Sequence, residues 1–301
     1  MRNRELSQAQ CAIAQAAAVV GEWWTLLILR DVAGGICRFD ELQTELAISR
    51  KVLSERLATL VSDGVLEKRS YQERPPRCEY HLTESGQALI PVLIALQDWG
   101  SRYVLGDGTL TATSGPRSKE AGRVRSLVGV RLPLIELAAG EGRWRDPVGR
   151  SEWTVVFCYP GAYMAGSAYP AGWSEIPGAT GCKLETVTFR DRSKEFAALS
   201  AEVVGISTQR HEDQAAFAKE ARLSYQLLSD DELRLAAALR LPTFRAGGRD
   251  HLKRLTLIVD SERQIRSVLY PIPDPVASVD RALSIVAGYD PATRGRQRVS
   301  S

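Results

Sequence analysis

Histidine is scarce in this sequence, and the cysteines do not make up for it. The three histidines, His81, His211 and His251, fall at no ligand spacing, and the five cysteines, at 11, 37, 78, 158 and 182, include no C-x-x-C pair. A zinc-centred fold is therefore not expected, and no metal or cofactor is implied. The odd cysteine count points to free thiols rather than a disulfide framework. Long apolar runs are missing too: none approaches the roughly 18 residues of a membrane-spanning helix. The opening MRNRELSQAQ has no apolar stretch of the secretory kind. These absences set the expectation of a cytoplasmic chain with no membrane partner. Charge of one sign is also missing: 39 Lys and Arg stand against 36 Asp and Glu over 301 residues. The chain is not a uniformly basic glove for nucleic acid, so any such role must come from local charge. There is no internal repeat and no low-complexity tract.

What is present looks like an ordinary globular protein, 44% hydrophobic and 25% charged, long enough for two domains. The composition breaks at residues 106–125, GDGTLTATSGPRSKEAGRVR, rich in Gly, Ser and Thr. That stretch reads as a linker between a first domain over 1–105 and a second over 126–290, with 291–301 as a polar tail.

The first domain reads as helices with one hairpin. An alanine-rich helix (9–20) ends at Gly21, and a nearly all-apolar one (23–32) ends at Gly34 and Gly35. A short amphipathic helix covers 38–47, and Ser49 caps RKVLSERLATLVSDG. VLEKRSY and CEYHLT form a hairpin tipped by QERPPR, and Thr83 caps a last helix running to Val104. Helix, turn, capped helix and hairpin make a winged helix-turn-helix, whose second helix enters the major groove while the wing reaches phosphates. Leu53, Leu57, Leu60 and Val61 share one side of the capped helix; Lys51, Ser54, Glu55 and Ala58 point away. Arg50 stands at its start, and Lys68, Arg69, Arg74 and Arg77 crowd the hairpin. Residues 50–77 hold seven basic and four acidic side chains, whereas 1–105 hold 12 and 13. Positive charge is concentrated where a groove and its phosphates would lie.

GEWWTLLILRD, RFDELQ, ISRKVLSERLATLVSDGVLEK and ERPPRCEYHLTESGQAL together resemble the HxlR-type winged-helix transcription regulators over most of 8–103. The resemblance implies a homodimer on a two-fold-related double-stranded DNA operator. The last helix is compatible with that, with Leu89, Leu93, Leu96 and Trp99 along one side. Cys11 stands where this family often carries a thiol, which in several members senses oxidants or electrophiles; the alternative is a small buried hydrophobe.

The second domain alternates strand and helix and closes on an antiparallel hairpin and a helix, an α/β order. Cys158 sits inside the apolar strand VVFCYP and is assigned to its core. Cys182 follows Gly181 and opens a helix, where free backbone N–H groups and the helix dipole favour negative charge. That placement predicts a thiol of lowered pKa, and the thiolate is the nucleophile.

VVFCYP, the Gly-Cys pair with Glu185 three residues on, Phe189-Arg190-Asp191, EVVGIST and KRLTLIVDSERQIRSVLYPI resemble peroxiredoxins of the AhpC/TSA and bacterioferritin-comigratory-protein kind, with a thioredoxin-like fold. The resemblance covers roughly 127–287. It implies that Cys182 is the peroxidatic cysteine and that Arg254 holds the thiolate and the peroxide. Two departures stand out. The hydroxyl usually found three residues before the cysteine is replaced by Ala179, with Thr180 one place closer. Thr180, or Tyr163, Ser167 or Tyr169 from the insertion GAYMAGSAYPAGWSEI, would have to take its place. The resolving cysteine that many relatives carry five residues on is here Val187. The expected reaction thus consumes hydrogen peroxide or an organic hydroperoxide, and an external thiol reductant, a partner subunit or another cysteine of the chain completes it. The combined expectation is a redox-responsive DNA-binding regulator with modest thiol peroxidase activity. The alternative is a one-cysteine peroxidase whose winged helix serves dimerisation or localisation.

Overall fold

The computed structural model describes residues 10–74, 77–140, 142–164 and 169–289, which form two compact units meeting in sequence at Leu93 and Ile94. The expected polar tail, 291–301, lies outside the described residues.

The first unit runs α1 (Ala12–Val20), α2 (Trp23–Ala33), α3 (Phe39–Leu46), α4 (Arg50–Ser62), β1 (Leu66–Gln72), β2 (Arg77–Leu82) and α5 (Glu84–Gln87). Its core is aliphatic, with Ile28, Leu29, Leu42, Leu53, Leu57 and Leu60 almost wholly buried. The leucines of α4 recur every three to four residues, so one stripe is buried and the opposite face stays in water. Ser49 caps α4, its Oγ accepting from the Val52 N–H at 3.3 Å. Gly64, at φ +70°, reverses the chain into the antiparallel β1–β2 hairpin, registered Leu66 opposite Leu82. Alanine-rich α1 buries no residue.

The helix expected from Thr83 to Val104 is broken. Thr83 caps α5 through the Gly86 N–H at 3.1 Å, and a separate α6 covers Ile90–Trp99. Pro91 is the cause: it has no N–H to return to the preceding turn and its ring crowds that turn. Gly100–Val104 then winds as a π-helical turn.

Residues 106–125, expected as a linker, carry structure. Ser118 caps α7 (Lys119–Arg125), and Ala112, Ala121 and Val124 are completely buried. Side chains this small leave almost no hydrophobic pattern to read, yet they pack closely.

The second unit is built on a seven-stranded sheet ordered β11-β10-β5-β6-β7-β3-β4. Its strands are β3 (Leu137–Ala138), β4 (Trp144–Arg145), β5 (Trp153–Cys158), β6 (Ala201–Ser207), β7 (Gln226–Ser229), β10 (Leu255–Asp260) and β11 (Ile265–Leu269). β5, β6 and β7 are parallel, and β10 pairs antiparallel with β5. Every residue of β5 and β10 is buried, as expected of central strands covered on both faces. The cover comes from α8 (Cys182–Asp191), α9 (Ser193–Ala198), α10 (His211–Glu220) and α12 (Pro275–Tyr289), with a short α11 (Arg234–Ala238) after β7. This is the expected thioredoxin-like α/β fold after a mainly helical winged unit. The sequence HLKRLTLIVDSERQIRSVLYPI (251–272) reads as one closing hairpin, but its first two residues, His251 and Leu252, belong to β9 (Arg249–Leu252). It pairs with β8 (Thr243–Ala246) in a separate two-stranded sheet.

Candidate active site and nucleic-acid-facing surface

The fold brings a sequence-distant arginine to two side chains one turn apart on a helix. Cys182 is the first residue of α8, Glu185 lies one turn along it, and Arg254 immediately precedes β10. Gly181, at φ +95°, makes the turn into α8, and a Cβ there would sit 2.9 Å from Pro275 Cγ, so glycine is required for both conformation and space. Arg254, only 2% exposed, spends its donors inside the site: Nη2 donates to Cys182 Sγ at 3.3 Å and to the Thr180 carbonyl at 2.8 Å, while Nη1 pairs with the Glu185 carboxylate. The Gly161 N–H also points to the sulfur.

The expectation of a lowered thiol pKa does not hold in this conformation. Burial pushes the Cys182 pKa up; the Arg254 charge pulls it down, and the carboxylate of Glu185 adds to the rise. The helix start and the arginine are present as expected, but the thiol is almost wholly buried and a second anion competes for the same cation. The thiol is accordingly a donor, to the Ala179 carbonyl at 3.5 Å. Burial likewise raises the Glu185 carboxyl to about 7, with Arg254 opposing. Cys182 and Glu185 are thus coupled through one guanidinium, and a proton gained by Glu185 releases the arginine charge to the sulfur.

Above the sulfur lies a largely apolar cavity of about 690 Å³, walled by Tyr169, Pro170, Trp173, Leu184 and Val187. Thr180 turns its carbonyl, not its hydroxyl, to Arg254, and the residue is exposed. Ala179 is fully buried and offers only backbone. From the insertion, Tyr163 packs against Tyr169 (ring centres 4.7 Å apart) and Trp173 (5.9 Å). Its phenol is raised to about 12 chiefly by burial, and a Cys182 thiolate adds to the rise. Ser167 lies outside the described residues.

The remaining thiols are spread out. Cys158 is fully buried at the end of β5, and burial raises its pKa far above the ordinary value. Cys37 is pushed up to about 11 by burial, with Glu79 and Glu41 adding to the rise. Cys11 is exposed at the start of α1 and Cys78 is half-buried on the hairpin.

On the first unit, Arg50, Lys51 and Ser54 are exposed on α4, and Lys68, Arg69, Arg74 and Arg77 are exposed on the hairpin. Arg50 leans back on α3, 3.2 Å from Asp40 and with its guanidinium 4.8 Å from the Phe39 ring centre. Arg69 pairs with Glu67.

Sequence reasoning named Glu185 as part of a motif but gave it no task. Its spacing of three residues from Cys182, on the same helix face, was the available signal. It missed the buried cluster in which Lys253 Nζ meets both Glu120 carboxylate oxygens at 3.1 Å while Tyr270 donates to Glu120. A lysine beside an arginine at a strand start carries no sign of burial.

Comparison with known proteins adds two matches. Residues 19–107 match the HxlR-like helix-turn-helix family and residues 128–268 the AhpC/TSA family. A Mycobacterium tuberculosis protein named an uncharacterized HTH-type transcriptional regulator is 42% identical over 93 residues, 31% of this chain; the chain spans 59% of that relative's length. A Bacillus subtilis regulator named in the same way is 32% identical over 111 residues, covering 34% of this chain and 87% of its own. A Mycobacterium tuberculosis protein named "Putative peroxiredoxin" is 36% identical over 116 residues, covering 38% of this chain and 72% of its own. The crystal structure of the peroxidoxin BcpB from the same organism is 31% identical, with a TM-score of 0.45, covering 54% of this chain and 97% of that one.

Proposed function

The chain belongs to the HxlR-like helix-turn-helix regulators through its first unit and to the AhpC/TSA peroxiredoxins through its second, and on that premise we propose that it is a DNA-binding regulator that reduces hydroperoxides at Cys182 and whose hold on DNA follows the oxidation state of that sulfur. The observation that carries the reading is the buried guanidinium of Arg254, 3.3 Å from the sulfur.

The chemistry follows from that contact. Cys182 loses its proton to solvent, and the thiolate attacks one oxygen of ROOH. An S–O bond forms and the O–O bond breaks; the sulfur is oxidised to sulfenic acid and the peroxide is reduced to ROH, its leaving oxygen taking up a proton. Arg254, always charged and with several donors, favours the thiolate and then the charge developing on the departing oxygen. With Val187 in place of a resolving cysteine, an external thiol attacks the sulfenic sulfur, releasing water and leaving a mixed disulfide. A second thiol then restores Cys182 and departs as the oxidised disulfide.

The first unit places its exposed cations on α4 and the hairpin, where they would meet a major groove and flanking phosphates of a double-stranded operator. The apolar side of α6 is exposed at Val92, Leu96 and Trp99, which suits a homodimer. Oxidation of Cys182 would then shift the dimer between states of different operator affinity.

The test is operator affinity of the full chain before and after one equivalent of hydroperoxide, beside Cys182→Ser. The regulator reading expects a change in the wild type and none in the variant. Many turnovers with a thiol donor and no change in DNA affinity would instead favour a one-cysteine peroxidase.

A further inference from the structure

His251, on β9, is only 3% exposed. Its ring centre lies 4.9 Å from that of Trp173, which walls the cavity over the sulfur, and 5.4 Å from that of Phe244. An apolar side chain would suit a place between two such rings, yet both imidazole nitrogens face backbone carbonyls. Nδ1 faces that of Pro160 at 3.2 Å, and Nε2 faces that of Ala246, also at 3.2 Å. A carbonyl only accepts, and a neutral imidazole has one N–H, so the uncharged ring serves one of the two. Burial lowers the pKa of the ring and favours that uncharged form, with the two carbonyls opposing. Of the charged groups around it, Asp250 favours a ring charge and Arg249 disfavours it, while Arg245 of β8 pairs with Asp250 at 2.8 Å.

The Pro160 carbonyl and the Gly161 N–H belong to one peptide group. That group is planar and trans, so its C=O and N–H point in opposite directions. The carbonyl end faces His251, and the N–H end faces the Cys182 sulfur, where it favours the thiolate. A donor on the carbonyl therefore fixes the plane of the peptide and polarises the N–H at its other end. The next residue is held separately: Ala162 donates to Gln209 Oε1 at 2.8 Å and accepts from Gln209 Nε2 at 2.9 Å.

We propose that His251 is a positioning residue for Cys182: with its proton on Nδ1 it donates to the Pro160 carbonyl, and so aims and polarises the Gly161 N–H that favours the thiolate. The inference rests on the reading of Cys182 as the reacting sulfur.

The experiment is the pH dependence of Cys182 alkylation by iodoacetamide in the full chain, followed on the Cys182 peptide by mass spectrometry. The wild type is compared with His251→Phe, His251→Asn and His251→Gln. Phenylalanine keeps a ring without a donor and should raise the midpoint by about one pH unit, the weight of one hydrogen bond to a charged acceptor. The asparagine amide nitrogen stands at the level of Nδ1 along the side chain and should restore most of that shift. The glutamine nitrogen stands at the level of Nε2 and should restore little. A wild-type midpoint in His251→Phe, or an asparagine variant that restores no more than the glutamine one, overturns the proposal. Where the variants do not fold, nitrogen-15 spectra of the wild-type histidines carry the test, with His81→Gln and His211→Gln assigning the third ring. A His251 ring protonated on Nδ1 is expected, and one protonated on Nε2 alone overturns the proposal. Hydroperoxide consumption by the wild type is measured alongside. Its absence would remove the peroxidase reading and leave the alkylation result standing, whereas consumption with an unmoved midpoint in His251→Phe removes this inference alone.

Discussion

The two units use arginine in opposite ways. In the first, Arg50, Arg69, Arg74 and Arg77 stand in water, and their nearest acids, Asp40 for Arg50 and Glu67 for Arg69, are exposed as well. In the second, Arg254 is buried with Cys182 and Glu185, and each charge acts on the others with little water between them. Exposed cations attract a polyanion over a distance but are screened by salt and individually weak. A buried cation reaches only what touches it, and its environment sets the protonation of its neighbours. A surface that must find DNA is suited to the first arrangement, and a site that must ionise a sulfur and stabilise a leaving oxygen is suited to the second.

The contrast can be broken most severely at the sulfur. Cys182→Ser should abolish hydroperoxide consumption in a thiol-coupled assay; wild-type turnover in that variant would place the chemistry elsewhere. Arg254→Gln should lower kcat/KM for hydroperoxide by about 10²–10³-fold, as for loss of a preorganised donor to a developing oxyanion. It should also move the pH midpoint of Cys182 alkylation upward, because the cation that donates to the sulfur is gone. Glu185→Gln should move that midpoint the other way, downward, by removing the competing anion; an upward shift would mean that the carboxylate serves chiefly to hold Arg254 in place.

Glu185 also sharpens the comparison through stability. Its carboxyl is raised from 4.5 to about 7 in the fold, so between those values the folded state holds a proton that the unfolded chain has released. That contribution is fully present below about 4.5 and is lost as pH rises through about 7. The melting temperature of the wild type should therefore fall relative to Glu185→Gln between pH 5 and pH 8; a gap that widens in favour of the wild type would contradict the assignment. The smallest effects belong to the exposed cations. Arg74→Ala or Arg77→Ala should each reduce the salt dependence of DNA binding by about one phosphate contact, read as the slope of affinity against salt on one duplex. Unchanged slopes would take the hairpin away from the phosphates.

The pairing of Cys182 with Arg254 was implied only by the resemblance, since a basic residue heading a strand carries no sign of burial; Cys182 itself was legible in the sequence because a cysteine opening a helix is a local pattern. The leucine stripe and Ser49 cap of α4 were legible for the same reason: helix periodicity and caps are written within a few residues. The protonation of Cys182 was not, because it depends on how completely the insertion and α12 exclude water and on a carboxylate whose approach to Arg254 is set by tertiary packing. The structure of residues 106–125 was hidden by small side chains, Ala112 and Ala121 among them, whose burial leaves no pattern. The break before α6 could have been read from Pro91, had its effect on the preceding turn been given its weight.

The most direct measurement is the mass of the intact full-length chain after one equivalent of an alkyl hydroperoxide, with the modified residue located by fragmentation. The account predicts one added oxygen atom on Cys182, removable by an external thiol, with the alcohol released in equal amount. An unmodified Cys182, or oxygen appearing first on Cys11, would contradict it.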